Sequence, residues 1–207
     1  MKKQAKISNA VIKRLPRYRR YLKELRKKGV DKISSNEFSS LIGYTASQLR
    51  QDLNNFGGFG QQGYGYSVGK LKAEIASILG IDKTYKAVIV GAGNLGHALL
   101  RYPSFKKQGF DILGLFDVNE DLVDNKEIFD AKTLESFIEE HGGVDIGIIC
   151  TPKDAARDVA YRLADAGVKG IWNFAPEDVS IPGVPVENVH LNDGLYVLCY
   201  RLNAERF

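Results

Sequence analysis

Hydrophobic positions along this chain change their rhythm near residue 80: before it they recur at helical spacing in short segments, and after it compact apolar runs alternate with helical stretches. In the first part Leu15, Tyr18, Leu22 and Leu25 share one helix face, with Pro16 expected at the first helical position and Gly29 as the stop. Ser34-Ser35-Asn36-Glu37 has the form of a capping box, Ser34 covering an orphan amide and Glu37 reaching back, and the helix it opens should end at Gly43. Thr45-Ala46-Ser47-Gln48 forms a second box after a short turn. Two capped helices joined by a glycine-containing turn make a helix-turn-helix. Residues 57–68, GGFGQQGYGYSV, set glycines around a Gln61-Gln62 tip and alternate aromatics with glycine on the return, which predicts a tight β-hairpin, a wing on the helix pair. A further helix over 70–79 would turn Leu71, Ile75 and Ile78 inward.

In the second helix of the pair Ala46, Leu49, Leu53 and Phe56 form the packing side, while Ser47, Arg50, Gln51 and Asn54 fall at i, i+3, i+4 and i+7 as one polar stripe. A polar stripe is often only solvated. Arginine, however, grips guanine O6 and N7, and glutamine and asparagine match the N6 and N7 edge of adenine, so this stripe suits major-groove readout.

Past residue 80 the apolar strand 87–90 runs into Gly91-Ala92-Gly93-Asn94-Leu95-Gly96 and then a helix, the order in which a dinucleotide site is built. The first glycine permits the turn, the second lets a pyrophosphate approach, and the third lets helix pack on strand. The strand ILGLFDVN ends in Asp117, 21 residues beyond Gly96, where a carboxylate bonding ribose hydroxyls is expected; there it would repel a 2′-phosphate, favouring NAD over NADP. Apolar runs 144–150 and 170–174 alternate with helical stretches at 133–141 and 153–167, giving an α/β doubly wound parallel sheet. Ligands lie beyond the carboxyl ends of such strands, so Thr151, Pro152 and Asn173-Phe174-Ala175-Pro176 are either ordinary strand-to-helix turns or the nicotinamide side of the site.

Charge sharpens the division. Residues 1–80 carry 16 Lys and Arg against 5 Asp and Glu, a net of +11, whereas the remaining 13 against 20 give −7. A basic first module suits a polyanion and the acidic second module does not. The absence of a long apolar run or a signal-like N-terminus makes the cytoplasm the expected location, with no membrane. Cys150 and Cys199 sit in apolar contexts, as buried small hydrophobes would. His97, His141 and His190 have neither ligand spacing nor an adjacent nucleophile, so neither a metal site nor a catalytic residue is expected, and a dinucleotide site without visible acid-base machinery suggests sensing.

The segments RLPRYRRYLKELRKKG, TASQLRQDLNNFGGFGQQGYGY, VGAGNLGHAL with LFDVN, IWNFAP and VPVENVHL together resemble the Rex family of redox-sensing transcriptional repressors over nearly the whole chain. The resemblance implies a winged-helix DNA-binding domain at 1–84, a Rossmann-like NAD(H)-binding domain at 85–191, and a C-terminal helix, 192–207, swapped into the partner of a homodimer. That swap would bury Leu195, Val197 and Leu198. It implies palindromic operator DNA bound in the NAD⁺ or apo form and released on NADH binding. The cofactor set is then Gly91, Ala92, Gly93, Asn94, Leu95 and Gly96 for the pyrophosphate, Asp117 with Val118 for the ribose, and Thr151, Pro152, Asn173, Phe174, Ala175 and Pro176 around the nicotinamide. Thr45, Ser47, Gln48, Arg50, Gln51 and Asn54, with Gln61, Gln62 and Tyr64 of the wing, would face DNA. Relatives link an arginine, a tyrosine and an aspartate that change contact with cofactor state; Arg20 and Tyr102 match, and His190 stands at the third position, where it could add pH dependence. Some relatives carry a basic wing residue where this chain has Gln62. The rival readings are a small NAD-dependent oxidoreductase with a basic oligomerisation arm, which lacks a plausible acid-base pair here, and a CoA-type nucleotide binder, which Asp117 disfavours.

Overall fold

A computed structural model of the chain describes residues 7–59, 65–124 and 126–204. They divide into two compact units, Met1–Lys83 and Thr84–Phe207.

The first unit opens with α1 (Asn9–Lys27), capped by Ser8, whose hydroxyl accepts from Val11 N. Pro16 is therefore interior and not the first helical residue. The apolar stripe extends one turn further back than expected, to Val11, and burial of Val11, Leu15, Tyr18 and Leu22 on one face outweighs the missing amide, a defect worth about 3 kcal/mol. After β1 (Lys32–Ile33), α2 (Ser35–Ile42) carries the expected Ser34–Glu37 box and ends at left-handed Gly43. The helix α3 (Ala46–Asn54) buries Leu49 and Leu53, with Ala46 and Phe56 half-buried beside them. Of the segment expected to form the hairpin, 57–59 are in no strand and β2 (Tyr66–Ser67) pairs antiparallel with β1, Ile33 opposite Tyr66. The wing tip, with Gln61, Gln62 and Tyr64, lies outside the described residues. The helix α4 (Val68–Ile78) closes the core with Val68, Leu71 and Ile75.

In the second unit β3 (Tyr85–Val90), β4 (Phe110–Asp117), β5 (Ile128–Asp130), β6 (Ile146–Ile149), β7 (Gly170–Asn173) and β8 (Val186–Asn188) form a parallel sheet of order β5-β4-β3-β6-β7-β8. The order reverses between β3 and β6, the topological switch point of a doubly wound sheet. Successive β3 residues face opposite layers. Val88 and Val90 meet α7 (Leu134–Glu140) and α8 (Lys153–Asp165) through Leu134, Phe137, Ala160 and Leu163, while Ala87 and Ile89 meet Leu99 and Leu100 of α5 (Asn94–Leu100). Burial on both faces explains why these strands are continuous apolar runs. The helix α6 (Ser104–Lys107) follows α5, and α9 (Leu191–Ala204) ends the described chain with no buried residue.

Cys150 is half-buried against the sheet, where burial pushes its thiol pKa up to about 12. Cys199 departs from expectation: it is exposed, because α9 packs none of its residues away from solvent.

Candidate functional site

Backbone ladders bring the predicted cofactor residues to one end of the sheet. Gly91 N donates to Phe116 O, Cys150 N to Val90 O, and Phe174 N to Ile149 O, so the glycine turn, Asp117, Thr151 and Phe174 follow neighbouring strand ends around the switch point. Gly91 has φ +108, and a Cβ there would lie 2.6 Å from the Cys150 carbonyl and 2.9 Å from Thr151 N. A Cβ on Gly96 would overlap the Gly91 carbonyl oxygen. These two glycines let the turn close on itself and on β6. Gly93 differs, since nothing lies within 4 Å of a Cβ built on it, and it caps α5 without a side chain over the first amides. An anion reaching that turn meets unoccluded N–H groups at the positive end of a short helix.

Asp117 is half-exposed at the end of β4. One carboxylate oxygen accepts from Ala92 N (2.6 Å) and the other from Asn119 N (2.8 Å), which fixes the carboxylate against the glycine turn and leaves lone pairs for hydroxyl donors. Val118 is exposed beside it and Ala92 is buried. Thr151 Oγ1 is buried without a hydrogen-bond partner, an orphan polar atom that fits a ligand group at this strand end. Together the open Gly93 turn, the fixed acid and the orphan hydroxyl suit a dinucleotide.

The residues of the Asn173–Pro176 segment differ in burial and contacts. Asn173 is fully buried, donating to Glu177 O (2.7 Å) and Asn188 Oδ1 (2.8 Å) and accepting from Ala175 N (3.0 Å), so its amide braces the loop. Phe174 packs on Trp172 at 4.5 Å, half-buried; Ala175 is buried, and Pro152 and Pro176 are exposed.

On the first unit Ser47, Arg50, Gln51 and Asn54 are all exposed along α3, as one outward stripe. Thr45 serves as the N-cap, its hydroxyl accepting from Gln48 N at 3.1 Å. The second box is only half made: the Gln48 side chain donates to Asp52 Oδ1 (2.7 Å) instead of returning to Thr45. Asp52 escaped the sequence reading. It is fully buried and also accepts from Arg14 Nε (2.5 Å), Arg14 Nη2 (2.7 Å) and Tyr18 OH (2.6 Å). Burial alone would raise its pKa; the bonds from Arg14, Tyr18 and Gln48 outweigh burial and hold it below the ordinary value. A charge three residues after Leu49, on the inward side of the helix, was the signal available for it. Arg17 lies over Tyr44, in the turn before α3, at 5.3 Å.

Arg20 is exposed on α1, Tyr102 is exposed with its ring against Phe105 at 5.0 Å, and His190 Nε2 meets Asp178 Oδ1 at 2.8 Å. That bond, then the nearby charges of Asp178 and Asp193, raises the His190 pKa against partial desolvation. Among the described residues no helix is long and apolar enough to cross a membrane, and no cluster of His, Cys, Asp or Glu is placed to hold a metal.

Comparison with known proteins bears on both units. Residues 82–177 match the family model of the CoA binding domain, and residues 6–54 match the one described as "Putative DNA-binding protein N-terminus". The redox-sensing transcriptional repressor Rex of Thermoanaerobacter pseudethanolicus is 55% identical over 210 residues, covering 99% of this chain and 93% of the relative. A crystal structure of the protein RSP with beta-NAD+ and operator DNA matches with a TM-score of 0.90 at 55% identity, covering 97% of this chain and 94% of that one. RSP with beta-NADH matches at 0.89 and 52% identity, with 98% and 97% covered.

Proposed function

This chain belongs to the Rex family of redox-sensing transcriptional repressors, and we propose that it binds palindromic operator DNA as a homodimer, in the NAD⁺ or apo form, and releases it when NADH binds. It is a regulator and not an enzyme. The observation that carries the reading is the carboxylate of Asp117 bonded to the glycine turn in a chain whose other unit exposes the Ser47–Asn54 stripe. Gly91, Gly93, Asn94, Leu95 and Gly96 would hold the pyrophosphate, Asp117 with Val118 the adenosine ribose, and Thr151, Pro152 and Phe174–Pro176 the nicotinamide region, with Asn173 as brace. The bound coenzyme supplies redox state as information: its two forms differ by a hydride and the charge of the ring. Residues 1–84 would read the operator, 85–191 hold the coenzyme and 192–207 join the subunits, in the cytoplasm. In the proposed switch with Arg20 and Tyr102, the third residue, His190, has the carboxylate of Asp178 as its partner.

A ligand shifts an equilibrium only by its differential affinity for the two states. A coupling of about 1–3 kcal/mol changes DNA affinity roughly 5- to 150-fold. The test is the mobility of a palindromic A/T-rich duplex with protein alone, with NAD⁺ and with NADH at fixed salt, since phosphate contacts make binding salt-dependent. Release by NADH only is expected; mobility indifferent to the coenzyme's oxidation state overturns the reading. The matched CoA-binding description calls for one control, in which CoA should fail to displace NADH.

A further inference from the structure

The half-made box at the start of α3 raises a question: why does Gln48, which has the spacing to close the cap on Thr45, turn its amide to a buried carboxylate instead? Asp52 takes four hydrogen bonds from three residues. Oδ1 receives Arg14 Nη2 and Gln48 Nε2, and Oδ2 receives Arg14 Nε and Tyr18 OH. An ionised carboxylate only accepts, so it dictates which end of the glutamine amide faces it. Arg14 and Tyr18 belong to α1 and are themselves held by that carboxylate, so Asp52 is pinned from the neighbouring helix and cannot follow a swinging side chain.

Gln48 lies at the margin of the exposed stripe, half-buried, one residue after Ser47 and three before Gln51. Of its two amide N–H bonds one is committed to Asp52. The second, with the carbonyl turned away from the carboxylate, forms an adjacent donor and acceptor. That pair matches N7 and the N6 amino group of adenine, and the N-terminal residues of a recognition helix are those that reach base edges. Fixing the pair in advance removes the rotamer freedom that a free glutamine loses on binding.

We propose that Asp52 is the positioning residue of the reading helix, pinning Gln48 so that it presents a fixed donor–acceptor pair to one adenine in each operator half-site. The inference rests on the operator-binding reading above.

The test uses the full chain and a duplex pool randomised across one half-site, comparing bound sequences for wild type, Gln48→Met, Asp52→Asn and Tyr18→Phe. Wild type should prefer A·T at one pair; Gln48→Met should lose about 5- to 150-fold of discrimination at that pair, with the other pairs keeping theirs. Asp52→Asn can bond either end of the glutamine amide, so it should lose discrimination at the same pair. Tyr18→Phe keeps the ring volume and removes one bond to Asp52, so it should show a smaller loss there and serves as the positioning probe if Asp52→Asn melts below the assay temperature. A wild type that selects no sequence removes the operator-binding reading itself. A selective wild type whose Gln48→Met variant keeps the same preferences, or weakens uniformly on every sequence, overturns this proposal alone. Loss of discrimination at one pair in Gln48→Met but not in Tyr18→Phe or folded Asp52→Asn overturns the positioning role.

Discussion

A methyl group added at Gly93 and one added at Gly96 meet opposite surroundings. Gly93 has open space around a Cβ, whereas at Gly96 the same group runs into the backbone oxygen of Gly91. Gly96→Ala should therefore destabilise the second unit by about 1–3 kcal/mol through backbone displacement. Gly93→Ala should alter stability by no more than about 0.5 kcal/mol and yet weaken NADH binding, because it fills the approach to the turn. Thermal unfolding paired with NADH titration separates the two, with Trp172, the single tryptophan, as the emission donor. At His190 the bond to Asp178 raises the pKa above the usual 6.5. The stabilisation from that bond is fully present below 6.5 and is lost as pH rises through the raised folded-state value. An NMR titration of the imidazole should give a midpoint above 6.5 that returns toward it in Asp178→Asn; an unchanged midpoint in the variant would remove the link.

Between elements, the Arg14–Asp52 pair ties α1 to α3. Arg14→Met leaves a fully buried carboxylate with only Tyr18 and Gln48 as donors, and unpairing a buried charge costs about 3–5 kcal/mol. Urea unfolding of the first unit followed by circular dichroism should show that loss at pH 7. Because Asp52 is held below its ordinary 3.8, its contribution is present above that value and fades as pH falls through the lower folded-state one. The same pair shows where sequence reading stops. The Ser34 box, the Gly43 stop, the Ser47–Asn54 stripe and the spacing of Gly96 to Asp117 were legible because each is written within a window of two dozen residues or fewer. Asp52 draws on Arg14 and Tyr18, 38 and 34 residues away, and β1 on a strand equally distant; no local pattern encodes such partners. Pro16 misled for a related reason: intrinsic propensity marked a helix start, and the buried stripe reaching back to Val11 overrode it. At the strand ends around the switch point the spacing of the glycine turn to Asp117 was legible, but the inward orientation of Asn173 was not, since its partners Glu177 and Asn188 are set by the folded loop.

For the whole molecule, α9 is the element that the proposed dimer would use, since none of its residues is buried in the single chain. Seven of the thirteen large apolar side chains exposed among the described residues lie on this helix, from Leu191 to Leu202. A surface so apolar calls for a partner, and an isologous contact between two copies of the chain would bury the same face twice. Sedimentation equilibrium should give twice the 23.0 kDa chain mass, and a chain ended at His190 should sediment as a monomer. In the proposed dimer, coenzyme binding would gain leverage over DNA because two reading heads must match two half-sites at a fixed spacing. If NADH disfavours that spacing, linkage requires operator DNA to disfavour NADH by the same factor. Calorimetric titration of NADH into the intact protein, alone and then saturated with operator, should show affinity reduced by the factor by which NADH weakens operator binding, about 5- to 150-fold. Equal NADH affinity in the two titrations would mean that the coenzyme occupies its site without informing the DNA-reading unit.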